Sequence, residues 1–275
     1  MSFRDDFKVA AGKRVDLSAI DPGMTAGFDK DSARAQTQKN IKRIAELQKK
    51  LYVERKQAVL IVFQAIDAGG KDGAIENLAT GTNPQGVKVT SFKQPSREEL
   101  DHDFLWRIHP HAPGKGEIGI FNRSHYEDVL VVRVHGLAPE DVWQKRYRQI
   151  NDFERMLSEN GTHIIKFYLH ISKEEQFERL RARLEDPAKN WKFNEGDMKE
   201  RDRWDDYRAA FEDALTKCST PEAPWHVIPA DKKWFRDLVI SEIVRDKLES
   251  LNISLPKVDF DAQDMLQKYF GASPA

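Results

Sequence analysis

The sequence holds a single cysteine among its 275 residues, Cys218, which excludes a disulfide framework and a cysteine-built zinc site. Long apolar runs are missing too. The longest, such as Val59-Leu60-Ile61-Val62-Phe63, fall far short of the roughly 20 residues that cross a bilayer. Arg4, Asp5, Asp6 and Lys8 stand among the first residues, with no apolar segment of the signal-peptide kind. Charge of one sign is also lacking: 44 Lys and Arg face 45 Asp and Glu, a net charge of -1. That balance gives no global attraction to nucleic acid or to a membrane surface. Hydrophobic residues make up 40% and charged ones 32%, enough apolar side chain for a packed core, so a disordered chain is excluded. The expectation is a soluble, reduced, cytoplasmic protein that binds neither nucleic acid nor membrane.

Residues 1–34 lack periodicity and read as an N-terminal arm lying on the body. From Ala35 to Arg55 the apolar residues Ile41, Ile44, Leu47, Leu51 and Tyr52 recur every three or four positions, which predicts an amphipathic helix. Five short apolar segments follow, at Val59 to Phe63, Val87 to Phe92, Ile118 to Phe121, Ile164 to Leu169 and His226 to Pro229. Helical patterns separate them, at Arg97 to Trp106, Ser124 to Val134, Pro139 to Ser158 and Lys173 to Leu184, and a last helix spans Lys232 to Leu251. Short β-rich runs alternating with helices predict an α/β fold, a parallel sheet covered on both faces. The stretch at about 186–218 breaks this rhythm and mixes Trp191, Phe193, Trp204, Tyr207 and Phe211 with many cations. It is expected to be a helical lid within one domain at 35–256, and 257–275 a loosely held tail.

The strongest chemical signal runs from Val62 to Gly73, where a buried strand enters the turn Ala68-Gly69-Gly70-Lys71-Asp72-Gly73. Glycines let backbone N–H groups share one concavity, a helix N-terminus adds partial positive charge, and a lysine reaches a phosphate oxygen. The strict P-loop pattern G-x-x-x-x-G-K-[ST] is met at Gly70-Lys71, with Ala65 at the first glycine position and Asp72 in place of Ser/Thr. An ordinary strand-to-helix turn is the competing reading. Asp67 and Asp72 flank the turn, and carboxylates beside a phosphate nest make sense mainly with a metal ion present.

A second signal is Asn122-Arg123-Ser124, with Glu127 and Asp128 one turn further on. Asn122 can ligate a metal through its amide oxygen and Arg123 can clamp a phosphate. The bland alternative is a helix capped by Ser124 and decorated by two acids. A third signal is cationic density: Lys145, Arg146 and Arg148 on one helix, Arg179, Arg181 and Arg183 on another, and Lys189, Lys192, Arg201 and Arg203 in the lid. Such runs are usually solvated faces, but several lie C-terminal to strands, where ligands bind in open α/β sheets. His102, His109 and His111 lack the companions of a metal site, and Cys218 reads as a small packed residue.

Six stretches in the same order resemble the second polyphosphate kinase family: Ala65 to Gly73, Asp103 to Ile108, Ile120 to Val134, Tyr168 to Leu184, Asp186 to Phe193 and Ala223 to Ala230. The resemblance spans about 35–254. It implies a P-loop kinase-like three-layer sandwich with a five-stranded parallel sheet and a helical lid. It also implies phosphoryl transfer from inorganic polyphosphate to AMP and ADP, giving ADP and ATP, with magnesium or manganese. Carried across by position, the catalytic residues are Asp67, Lys71, Asn122, Arg123 and Arg183, with Asp67 and Asn122 holding the metal. Phosphate and nucleotide would meet Ala68, Gly69, Gly70, Asp72, Gly73, Ser124, Glu127 and Asp128. Polyphosphate would lie along Arg133, Lys145, Arg146, Arg179, Lys189 and Lys192. Asn122 with Glu127-Asp128 resembles the subgroup that accepts both AMP and ADP. A homodimer or homotetramer is expected. The rival readings are an ATP-dependent nucleotide or nucleoside kinase of the same fold, which should prefer Ser/Thr at position 72, and a non-catalytic phosphate or nucleotide sensor.

Overall fold

The computed structural model describes residues 3–271; the first two residues of the expected arm and the last four of the expected tail lie outside them. A short helix α1 (Phe3–Asp6) precedes the long α2 (Lys30–Glu54). Then come β1 (Ala58–Gln64), α3 (Lys71–Ala79), β2 (Val87–Ser91), α4 (Arg97–Leu100), β3 (Ile118–Asn122), α5 (Val131–Val134) and α6 (Glu140–Glu159). The second half carries β4 (Thr162–His170), α7 (Lys173–Glu185), α8 (Glu195–Asp202), α9 (Trp204–Cys218), β5 (Trp225–Pro229), α10 (Lys233–Ser250) and α11 (Ala262–Phe270). The five strands form one sheet in the order β2-β3-β1-β4-β5, and every neighbouring pair is parallel.

Alternation along the strands builds the three layers. On β1, Val59, Ile61 and Phe63 face one side, where they pack with Ile44, Leu47 and Leu51 of α2, Ile75 of α3 and Leu238 and Val239 of α10. Leu60 and Val62 face the other, against Trp143, Tyr147, Ile150 and Phe153 of α6 and Phe211 and Leu215 of α9. All seven residues of β1 are buried, as expected of a strand covered on both faces. The sheet's edges differ. β2 is largely open to solvent, whereas the arm covers β5, with Val9 N donating to Trp225 O at 2.9 Å and Val227 N to Phe7 O at 3.0 Å. Phe3 anchors that arm edge-on to Phe235, ring centroids 5.9 Å apart.

Three expected elements change shape. The helix expected from Ala35 starts at Lys30, because Asp29 accepts from the backbone N–H groups of Asp31 and Ser32 and caps it there. The single helix expected over Ser124 to Val134 is a 3-10 turn at His125–Val129 followed by α5, broken at Leu130, whose φ of -108° and ψ of -85° are not helical. The helix expected over Arg97 to Trp106 ends at Leu100, after a capping box between Ser96 and Glu99. Within the stretch expected to be a lid, α9 buries Ala210, Phe211, Ala214, Leu215 and Cys218 in the core. The exposed insertion is therefore 186–203, and its helix α8 has no buried residue. Among the described residues no helix is long and apolar enough to cross a membrane.

Candidate active site

Parallel strands deliver their C-terminal ends to one rim of the sheet, and a cleft of about 1600 Å³ opens there. The turn after β1 and the segment after β3 form its floor, α7 and the insertion one wall, and Ser91 to Pro95 with Arg107 the other.

The turn is shaped by side chains it does not contain. Ala68 and Gly70 have φ of 60° and 94°, left-handed values that curl the backbone into a nest. At Gly69 a Cβ would lie 2.5 Å from the Ala65 Cβ and 2.8 Å from Ile66 O. Gly69 thus leaves the space that Ala65 occupies where the strict pattern has glycine. A Cβ on Gly70 would collide with the Arg236 guanidinium. The turn's carbonyls are bonded outward: Asp67 O accepts from Gln176 Nε2 at 3.0 Å, Ala68 O from Arg179 Nη1 at 3.1 Å, and Gly70 O from Arg236 Nη1 at 3.0 Å. Gly69 N donates within the turn to Ile66 O at 3.0 Å; with the carbonyls held this way, the remaining N–H groups and the start of α3 are left for an anion.

Lys71 is buried and donates to Ala65 O at 3.0 Å. Burial, reinforced by Arg123, pulls its ammonium below the ordinary lysine range. Arg123, at φ 61°, sits in strained backbone of the kind that collects at functional sites. It reaches Asp67 Oδ1 at 2.8 Å and Glu127 Oε2 at 3.2 Å. Burial disfavours its charge, but Glu127 and Asp67 outweigh that and hold it above its usual value. Asn122 Nδ2 donates to Asp72 Oδ1 at 2.7 Å. A carboxylate only accepts, so the amide nitrogen faces Asp72 and the amide oxygen remains as a ligand atom.

Asp67, Asp72 and Asn122 all line the cleft floor. Two carboxylates and an amide oxygen suit magnesium, which takes one or two carboxylates together with waters and substrate phosphates. Among the described residues no group of three or more His, Cys, Asp or Glu forms a metal site, so the chain does not supply a full cage.

Of the other expected residues, Ala68, Gly69, Gly70, Gly73, Ser124, Glu127, Asp128, Arg146, Arg179, Arg183, Lys189 and Lys192 line the cleft. Ser124 caps its turn by accepting from Tyr126 N at 3.2 Å. Arg183 pairs with Asp197 at 2.8 Å and Lys189 with Asp186 at 2.6 Å, and Lys192 lies over the Trp191 ring. Arg146 bonds Asp128 Oδ1 at 2.8 Å; burial nonetheless raises the Asp128 carboxyl to about 6.

Two expected polyphosphate residues do not reach the cleft. Lys145 is exposed and faces Asp141 at 3.4 Å, one helical turn back. Arg133 is held by Asp213 at 2.6 Å and Tyr147, over the Trp143 ring. Arg179 lines the cleft, but its guanidinium serves Ala68 O, Ala230 O and Asp231 O, and its Nε serves Glu175. Of the weaker candidates, His102 stacks on Trp106 and His109 meets Phe153 edge-on. Cys218 is buried, which pushes its thiol up to about 12.

Sequence reading missed Lys93, Arg107 and Lys233 in the cleft walls and Arg236 and Gln176 behind the turn. It also missed a buried network beneath the β3 end. Lys166 Nζ meets Glu154 Oε2 at 2.5 Å, Tyr126 OH at 2.7 Å and Cys218 O at 2.7 Å. Glu154 Oε1 meets His125 Nε2 at 3.2 Å. Burial raises the Glu154 pKa, but Lys166 and His125 more than offset it and keep the carboxyl ionised. One signal was available: Lys166 interrupts the apolar run from Ile164 to Leu169, and a charge inside a buried strand needs a partner.

A phosphate nest at the end of β1, a lysine within it and a cleft wall of cations from α7 and the insertion define a P-loop phosphotransferase. The family model for polyphosphate kinase 2 matches residues 27–256, and the chain belongs to that family. It is 50% identical over 253 residues to an AMP/ADP-polyphosphate phosphotransferase of Meiothermus ruber, covering 91% of this chain and 95% of that one. An ADP-polyphosphate phosphotransferase of Rhodopseudomonas palustris is 44% identical, with 91% of each chain covered. The crystal structure of polyphosphate kinase 2 from Arthrobacter aurescens superposes with a TM-score of 0.95 at 42% identity, over 99% of this chain and 98% of that one. The resemblance read from six motifs, and the fold it implied, therefore hold.

Proposed function

We propose that the protein moves phosphoryl groups from inorganic polyphosphate to AMP and ADP, giving ADP and ATP, with magnesium. The observation that carries this reading is a phosphate nest opening into a cleft whose walls bear Lys93, Arg107, Arg146, Arg183, Lys189, Lys192 and Lys233. A linear polyphosphate has about one negative charge per unit at neutral pH, as follows from phosphate ionisation, and a spread of cations suits it better than a single arginine finger would. The names of the relatives point the same way.

The acceptor's terminal phosphate is already largely ionised near neutral pH, because its second pKa is about 6. No strong general base is needed. Catalysis then rests on in-line positioning and on cations around the transferring phosphoryl. The turn's N–H groups and Lys71 orient the phosphate on the nest, and Arg123 supplies a planar fork beside it. Asp67 and Asn122, with Asp72 beside them, are the residues that would hold magnesium, which neutralises developing charge when bound. In this reading Arg146, Arg183 of α7 and the lid residues Lys189 and Lys192 hold polyphosphate, while Glu127, Asp128 and Ser124 border the nucleotide. Arg133 and Arg179 have structural roles, and Lys145 lies on a solvated helix face. A homo-oligomer in the cytoplasm completes the proposal, in keeping with one buried thiol.

The test is to offer AMP or ADP with magnesium and polyphosphate to protein free of adenylate kinase. ADP and then ATP should appear from AMP, and ATP from ADP. Turnover of AMP with ATP but not with polyphosphate would favour the ATP-dependent kinase instead.

A further inference from the structure

A buried carbonyl needs a donor, so each carbonyl of the phosphate turn that faces away from the cleft depends on a group behind it. Three side chains supply those groups. Arg179 and Arg236 each have a carboxylate beside them on their own helix, Glu175 at 2.8 Å and Asp237 at 2.7 Å. These two braces are complete without the lid. Gln176 is not. It is fully buried and uncharged, its Nε2 donates to Asp67 O at 3.0 Å, and its Oε1 accepts from Arg201 Nη1 at 3.0 Å. Arg201 belongs to α8, and the same Nη1 also donates to Lys173 O at 2.5 Å. One amide thus touches the lid with one atom and the backbone of the turn's carboxylate residue with the other. Its orientation is forced, because a carbonyl accepts and a guanidinium donates.

We infer that Gln176 is a positioning residue that couples the seating of the lid, through Arg201, to the placement of Asp67. If Arg201 is lost, Oε1 becomes a buried acceptor with no donor, and an amide that turns to relieve it gives up its bond to Asp67 O. The lid itself keeps other ties, Arg183 to Asp197 at 2.8 Å and His135 to Glu200 at 2.9 Å. Removing Arg201 should therefore loosen the turn at Asp67 without releasing the lid. The inference rests on the role given to Asp67 in the proposed function.

The experiment compares wild type with Arg201→Met, Gln176→Met, the double variant, and Lys199→Ala on the exposed side of α8 as a control. Backbone hydrogen exchange over residues 66–71 is measured on the full chain without substrates, and kcat and the ADP KM with polyphosphate. Arg201→Met should speed exchange in the turn by about fivefold or more, a local opening. It should lower kcat about tenfold with the ADP KM within about twofold, the signature of misplacement rather than lost binding. Gln176→Met should match it, and the double variant should be no worse than the worse single variant. Faster exchange confined to 186–203, with the turn and kcat unchanged, overturns the coupling, as do effects of the two variants that multiply. If Gln176→Met does not fold, exchange and kcat of Arg201→Met alone decide between these outcomes. Because exchange is read without turnover, a protein inactive with polyphosphate would sink the functional reading and still test this one.

Discussion

The phosphate turn and the lid face each other across one cleft, both dense in Lys and Arg, yet they are held by opposite means. The backbone carbonyls of the turn are bonded by buried groups: Lys71, Gln176 and Arg236 are all at most 9% exposed. In the lid, Lys189 and Asp186 form an ion pair with side chains 56% and 39% exposed. Backbone carbonyls in a dry site cannot be displaced by a ligand, whereas an exposed ion pair is worth about 0–1 kcal/mol and yields to a competing anion. Rigid geometry is concentrated where the phosphoryl is oriented, and exchangeable charge where a polymer would have to slide. The β3 end belongs with the turn, since the Lys166–Glu154–His125 network anchors it from below.

The contrast can be broken at its most rigid point. Lys166→Met leaves Glu154 charged and buried, so it should cost about 3–5 kcal/mol of stability; denaturant unfolding measures it, and a loss under about 1 kcal/mol would remove the network from the rigid half. Asp67→Asn should leave folding intact but cost about 2.7–4 kcal/mol in the transition state, seen as a fall of two to three orders of magnitude in kcat, the scale of one lost electrostatic stabiliser. Near-normal turnover would take Asp67 out of the chemistry.

Asp128, on the cleft floor, responds to pH. Its folded pKa is raised to about 6 by burial, against an ordinary value of 3.8. The folded state therefore holds the proton more tightly than the unfolded chain does. The stability this contributes is full below about 4 and is lost as pH rises to about 6, by about 2–3 kcal/mol at most. Relative to wild type, Asp128→Asn should gain stability across that window and stay level above it, which thermal unfolding at pH 4, 5, 6 and 7 would track. A difference that stays constant with pH would mean that Asp128 does not titrate there.

The smallest effects are expected in the lid and at the adjoining end of α7. Arg183→Ala and Lys192→Ala should raise the polyphosphate KM and flatten its dependence on salt by about 0.7 in the log–log slope per contact, by analogy with counterion release from single strands. Lys145→Ala, away from the cleft, should leave both unchanged. Parallel slopes in all three variants would make the lid cations a solvated face.

Much of this was legible in the sequence, because the signals are local. Alternation of short apolar runs with helical patterns sets a parallel sheet; the spacing of Gly70 and Lys71 after a buried strand sets the nest; Asn122 and Arg123 mark the end of the strand beside it. Where local signals mislead, longer-range packing has decided. Arg133 and Arg179 belong to cationic runs like those of Arg146 and Arg183, and only the partners brought to them by the fold separate the four. Asp213 and Tyr147 claim Arg133, and Ala230 O claims Arg179. Nothing within a few residues of these side chains announces those partners.

The class of fold, the phosphate turn and the family are each written in contiguous residues, whose backbone preferences and periodicity act at short range. Long-range packing settles which cations face the cleft, that α9 is core and not lid, and that the carbonyls of the turn are held by Gln176, Arg179 and Arg236. Those contacts join residues more than a hundred positions apart in the chain, and hydrogen bonds of that span exist only once the sheet has brought the ends of β1, β4 and β5 to the same rim.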